Sequence, residues 1–188
     1  MQSRSVHPRP ANPFRGLARA ARQLAARAAV VALLAVGAAG VSAQTAAAQD
    51  GFGGPAKVVY HADFKDPRRF SAMLASIHNM VTTYRNDLRD YDVRIVFNSH
   101  GIRFLTDDTL TDTPFEAGEA LQARRDNLRG RLKSLQGTYD VALELCDITR
   151  DRVQLSRDKV YDGVDSVVSG VVRVAELQSK GFAYIKIE

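Results

Sequence analysis

The sequence predicts an α/β domain: a mostly parallel five-stranded sheet layered between helices, α/β/α. Two observations carry this. Short apolar runs bounded by turn residues alternate along the chain with longer stretches whose apolar residues recur at helical spacing. The connections between successive runs are long enough to hold a crossover helix, which parallel strands require. A third observation bears on function. The one cysteine, Cys146, closes one of these runs, and the carboxyl ends of parallel strands are where open α/β sheets present chemistry.

The first strand is Lys57–Ala62, KVVYHA. Asp66-Pro67 then opens a helix, with proline suited to the first turn. Phe70, Met73, Leu74, Ile77, Met80, Val81 and Tyr84 form its apolar stripe. Tyr91–Ser99 is the second strand, with Val93, Ile95 and Phe97 alternating. The segment 106–114 holds four threonines and three aspartates and reads as a loop. A helix is expected over Phe115–Gln136, with Ala117, Leu121, Leu128, Leu132 and Leu135 on one side and Gly137 as its stop. Tyr139–Leu145 is the third strand, and a short helix follows around Thr149–Leu155. Ser166–Val168 is a brief fourth strand, Gly170–Lys180 a helix ended by Gly181, and Phe182–Ile187 the last strand.

The first 43 residues read as a leader rather than as fold. Residues 1–27 carry six arginines and no acidic residue, and the apolar run AAVVALLAVGAAG follows. Small residues at Val41-Ser42-Ala43 and Ala46-Ala47-Ala48 offer cleavage sites near 43 or 48. This is the pattern of a secretory signal. The run is too short for a confident span, which needs about 20 residues, and no arginine pair precedes it, so the general secretory route is expected. Residues 44–56 read as a flexible, Gly-rich lead-in, and 57–188 as the domain. The expected location is periplasmic or secreted. With the leader removed, 20 basic residues face 21 acidic ones. The high pI then belongs to the leader, so no nucleic-acid partner is expected. Membrane contact is expected only if the leader stays uncleaved.

His61 ends the first predicted strand, His100 the second and Cys146 the third, so the topology gathers them at one sheet edge. A lone thiol in an exported domain has no internal disulfide partner. It is either a reactive thiol, activated by an imidazole or a helix N-terminus, or a small buried hydrophobe. Asp147 beside it either opposes the thiolate by like charge or caps the following helix. His100 would transfer a proton or hydrogen-bond a sulfur-bearing ligand, and Gly101 beside it marks a sharp turn. His78 reads as a rim residue of the first helix. Arg124, Arg125, Arg129, Arg131 and Lys133, interspersed with Glu116, Glu119 and Asp126, read as a solvated face. No P-loop, dinucleotide fingerprint or nucleophile elbow is present. No close-spaced ligand pair supports a metal, and no cofactor is expected.

The order of motifs resembles the DsrE/DsrF-like family of sulfur-relay proteins, over about residues 57–188. KVVYHADFKDPRRFSAMLASIHNMV is similar to the family's opening strand ending in His, at His61, and its helix carrying Asn, at Asn79. VRIVFNSHGI resembles a second strand closing on His-Gly, at His100-Gly101. ELCDIT resembles a third strand closing on Cys, followed by Thr149. In VVSGVVRVAELQSKGFAYIKI, Gly170, Gln178, Gly181, Tyr184 and Lys186 match the family pattern. The resemblance implies a parallel five-stranded sheet, assembly as a homotrimer or hexamer, and in some members a persulfide on the cysteine. It implies Cys146 as the sulfur-carrying thiol with His100 assisting, and a pocket lined by His61, Asn98, Gly101, Thr149 and Gly170. The partner would be a sulfur donor or acceptor protein or a small sulfur compound. Asp147 departs from the small residue usual in the family, and the leader departs from its cytoplasmic relay members. A second reading keeps the same edge as a non-catalytic, oligomeric module for a small ligand or metal.

Overall fold

A computed structural model describes residues 54–188. The predicted leader and most of the lead-in lie outside the described residues. The elements are β1 (Ala56–Ala62), α1 (Pro67–Asn86), β2 (Tyr91–Phe97), a 3₁₀ turn (Ser99–Phe104), α2 (Glu119–Gln122), α3 (Arg125–Tyr139), β3 (Ala142–Cys146), α4 (Asp147–Arg152), β4 (Val164–Val167), α5 (Gly170–Ser179) and β5 (Ala183–Ile185). The sheet runs β4-β3-β2-β1-β5, with every neighbouring pair parallel. The mostly parallel five-stranded α/β architecture is the one expected from the sequence.

Strand order explains the layers. From β1 to β4 the chain steps one strand at a time in one direction. After β4 it reverses and lands beyond β1. Right-handed crossovers place helices of the outward march on one face and the returning α5 on the other. The first face carries the large core: Tyr60, Ile95, Phe97 and Leu143 from the sheet meet Phe70, Met73, Ile77 and Leu132 from α1 and α3. The second core is small, with Val59 and Val96 under Val174, Leu177 and Phe182.

Sequence signals set the helix ends. Asp66 caps α1, its carboxylate accepting from the Arg68 amide at 2.7 Å. Ser169 caps α5 by accepting from the Val172 amide, and Gly181 exits it at φ +86°, which glycine adopts without strain.

The structure differs from the sequence expectations at the end of β2, along the 115–136 helix, at Gly137, and at Tyr139, which ends α3 while β3 begins only at Ala142. β2 stops at Phe97, because Ser99 turns to φ 48° and starts the 3₁₀ turn. His100 therefore lies on that turn and not at a strand end. The helix expected over 115–136 is two helices. At the break Arg125 turns inward and donates to the carbonyls of Arg103 and Thr106. Gly137 does not stop α3. Asp140 takes the left-handed terminal position at φ 55°, its amide donating to the Leu135 carbonyl, so the helix runs through the glycine.

The basic cluster on α3 is more than a solvated face. Arg131 donates to the Ser71 hydroxyl and carbonyl at 2.6 and 2.8 Å, joining α3 to α1. Arg129 pairs with Asp107 at 2.7 Å and with Asp126 at 2.8 Å.

One buried charge holds α5 to the sheet. Glu144 is 2 % exposed. It accepts from Arg94 Nη1 of β2 at 2.9 Å, and from Arg173 Nε and Nη2 of α5 at 2.6 and 2.8 Å. Arg94 is also gripped by both oxygens of Asp92, at 2.8 and 2.9 Å. Burial alone would raise the Glu144 pKa. The hydrogen bonds and charges of Arg173 and Arg94 outweigh it and hold the carboxyl below its ordinary 4.5. A carboxyl lowered on folding stabilises the fold above its unfolded pKa and loses that contribution as pH falls through the lower folded value. Glu144→Gln should therefore cost about 2 kcal/mol in urea unfolding at neutral pH, below the fully buried case because both arginines remain partly solvated. The gap to the parent protein should close as pH drops below 4.5. A gap that persists unchanged in acid would mean the loss is one of shape rather than charge.

Candidate functional site at the carboxyl edge of the sheet

Register decides which side chains share the second face. His61 pairs with Val96, and Val96 with Glu144. Two residues further along the chain from Val96, Glu144 and Asp165 lie Asn98, Cys146 and Val167, the last two paired directly. Side chains alternate between faces along a strand. His61, Asn98 and Cys146 therefore stand on the α5 side, while Phe97 and Leu145 point into the large core.

Gly170, the first residue of α5, closes over this row. A Cβ placed on it would meet the Cβ atoms of Asn98 and Cys146, each at 3.1 Å, and Val96 Cγ1 at 3.4 Å. The missing side chain lets the start of α5 approach the ends of β2 and β3. Cys146 is 5 % exposed beneath it, and it is the only cysteine of the chain.

Asn98 links the thiol's surroundings to His61. The Asn98 carboxamide oxygen accepts from His61 Nε2 at 2.9 Å. That places the imidazole proton on Nε2 and leaves Nδ1 facing the Tyr184 hydroxyl of β5 at 3.3 Å. Chain order predicts His61, His100 and Cys146 at one edge and the resemblance adds Asn98 and Gly170; the structure sets His61, Asn98, Gly170 and Cys146 side by side.

Gly101 and Thr149 shape the turn after β2. A Cβ on Gly101 would fall 1.9 Å from the Ala62 carbonyl oxygen, so only glycine lets the 3₁₀ turn pack against the end of β1. Thr149 of α4 is buried, and its hydroxyl accepts from the Ser99 amide at 2.9 Å. This bond holds Ser99 in its left-handed conformation.

His100 is engaged separately. Arg103 Nη2 donates to its Nδ1 at 2.8 Å, and its ring meets Phe115 edge-on at 5.3 Å. Burial first, then the nearby charges of Arg103 and Lys65, lower its pKa below 6.5, against a smaller opposing effect of Asp63. The side chain packed beside Cys146 at Gly170 is Asn98.

Asp147 does not cap α4. It pairs with Arg150 at 3.1 Å, which offsets its charge next to the sulfur. α4 has six residues, so its dipole is weak support for a thiolate. Among the described residues, no group of three or more His, Cys, Asp or Glu is gathered as a metal would need.

The DsrE/DsrF-like family profile matches residues 57–187. The chain belongs to the DsrE/DsrF-like family. No curated protein matches it at a significant level. Among solved structures, it is similar to MTH1491 from Methanobacterium thermoautotrophicum, a protein of unknown function. That match has 26 % identity and a TM-score of 0.53, over 70 % of this chain and 98 % of the other. It is also similar to the ychN protein from E. coli, at 18 % identity and TM-score 0.47, over 70 % of this chain and 99 % of that one. Family membership suggests sulfur relay at the level of the family.

Sequence reasoning missed two parts of this DsrE/DsrF-like site. Arg103 is one, although a cation three residues after a histidine in a helical turn was a readable pairing. The Glu144 clamp is the other. Its signal was one carboxylate inside the apolar run VALELC, which demands a buried cationic partner.

Two outcomes follow from this geometry. Cys146 should react with a small alkylating agent at least about tenfold more slowly in the native protein than in urea, since the residue is buried. Equal rates would contradict its burial. Gly170→Ala should cost about 1 kcal/mol in chemical denaturation, because the two facing Cβ atoms are fixed to strands and cannot move aside.

Proposed function

We propose that this DsrE/DsrF-like protein is an exported sulfur carrier whose Cys146 takes up and releases a sulfane sulfur. The observation that supports it is the position of the one thiol. It sits at the carboxyl edge of a parallel sheet, where the winding of the chain reverses. It lies against Asn98 and Gly170, in a chain whose family is a sulfur-relay one.

The chemistry balances without an oxidant. Cys146 Sγ attacks the outer sulfur of a donor persulfide. A new S–S bond forms to Cys146, the donor's S–S bond breaks, and the donor departs as a thiol carrying the proton Cys146 gave up. Release to an acceptor thiol is the same step reversed. Asn98 and His61 offer polar groups beside the sulfur, and His100 offers a hydrogen bond to the incoming anion. Because Cys146 is 5 % exposed, uptake requires the start of α5 or the short α4 to open.

Self-association through the α5 side fits the same reading. Val168, Val171 and Val172 are 81, 66 and 54 % exposed around the start of α5, and Ile148 of α4 is 60 % exposed. Apolar exposure on one short segment favours a subunit contact, in keeping with the trimer or hexamer expected from the family resemblance. The basic, then apolar, leader supports export to the periplasm or medium.

Incubating protein purified without reductant with a low-molecular-weight persulfide should add the mass of one sulfur, reversed by a thiol. Cys146→Ser should abolish the gain. An unmodified mass in the parent protein would sink the carrier reading. Val171→Asp should lower the mass measured by light scattering to that of a monomer. Cell fractionation should find a product lacking about 43–48 residues outside the cytoplasm.

A further inference from the structure

We propose that Arg103 is a positioning residue that fixes His100 as the Nε2–H tautomer, making it a hydrogen-bond donor to an anionic sulfur species rather than a general base.

The geometry starts from Arg103 itself. It sits one 3₁₀ turn after His100 and is buried, with 5 % of its surface exposed. Among the described residues, no carboxylate lies within salt-bridge distance of it, and its Nε has no hydrogen-bond partner. A guanidinium stays protonated and only donates. Its Nη2 lies 2.8 Å from His100 Nδ1. At that contact the imidazole nitrogen must accept, so its lone pair faces Arg103 and the ring proton resides on Nε2. Protonating Nδ1 would set two donors and two positive charges against each other in a desolvated place.

The rest of the surroundings agree. Phe115 packs edge-on against the ring at 5.3 Å and limits its rotation. Arg152 of α4 lies over the same Phe115 ring, 5.9 Å from its centroid. Lys65, from the segment after β1, adds a further positive charge, while Asp63 opposes it and Glu116 acts on Arg103. Arg103 is itself held: Arg125 donates to its carbonyl at 3.2 Å. A neutral donor among cations suits an anion, and a persulfide or thiolate is the anion the carrier reading supplies. The assignment of a ligand class rests on that reading. The tautomer does not.

The test is nitrogen-15 NMR of the imidazoles in the intact protein, with His100 assigned by the signals missing in His100→Gln. In the parent protein, His100 should show the Nε2–H pattern at neutral pH and titrate below 6.5. Arg103→Met should populate the Nδ1–H form and raise the titration midpoint, since a positive neighbour and a fixed donor are both lost. Arg125→Met, which loosens the same turn without touching His100, should leave the tautomer unchanged. An Nδ1–H ring in the parent protein overturns the proposal, and this holds even if Arg103→Met does not fold. An unaltered tautomer in Arg103→Met, or the same change in Arg125→Met, also overturns it. These readouts are independent of sulfur uptake at Cys146, so failure of the carrier reading leaves them standing or falling by themselves. If uptake is real, Arg103→Met should slow it most at neutral pH, where the Nδ1–H form leaves Nε2 without a proton to donate, and the deficit should shrink in acid, where the imidazolium donates from both nitrogens.

Discussion

The candidate site depends on how a single helix is held across the back of the sheet. Four strands march in one direction, and α5 alone carries the chain back over the second face. The apolar contact available to it is small: Val59 and Val96 from the sheet, Val174, Leu177 and Phe182 from the returning segment. Glu144 supplies the rest of the attachment. Bonded to Arg94 on β2 and Arg173 on α5, it ties two strands and the helix through one carboxylate. A buried ion pair is poor evidence of net stability by itself. Here its consequence is positional, because it sits two residues before Cys146 on β3 and three residues after Gly170 on α5. The clamp sets the height at which Gly170 rides over the thiol.

That placement gives the edge of the sheet two distinct halves. On one, Cys146 lies under Gly170 beside Asn98, with His61 and Tyr184 continuing the polar row across β1 and β5. On the other, His100 stands on the 3₁₀ turn, tied to Arg103 and Phe115. Two interlocking contacts keep the halves in register. Gly101 lets the turn touch the end of β1, and Thr149 holds Ser99 in its left-handed conformation. Both are local backbone devices of the sort that collect at functional sites. Gly101 and Gly170 thus have a steric account in this chain, independent of the chemistry proposed for the edge.

Much of this was legible in the sequence, and particular residues show why. The alternation of Val93, Ile95 and Phe97 and the stripe from Phe70 to Val81 report burial directly, because one face of each element must be apolar. Cys146 and Gly170 were identified through their motifs. The errors fell where local signals compete with tertiary ones. Gly137 is a plausible helix stop, yet α3 continues because Asp140 tolerates the left-handed position and the Leu135 carbonyl finds its partner there. The predicted helix over 115–136 breaks because Arg125 satisfies carbonyls in a segment twenty residues away. The basic residues of α3 read as a solvated face, but Arg131 has its acceptors on Ser71 of α1.

The sequence by itself determined the parallel α/β class and the arrival of His61 and Cys146 at one edge, because periodicity and chain order encode those locally. Only the tertiary structure decided that Asn98 flanks the thiol, that His100 turns to Arg103, and that Glu144 joins Arg94 to Arg173. Each of these is a contact between residues distant along the chain or reoriented by a turn, set by strand register and by where α5 comes to rest. No spacing in the sequence specifies that geometry.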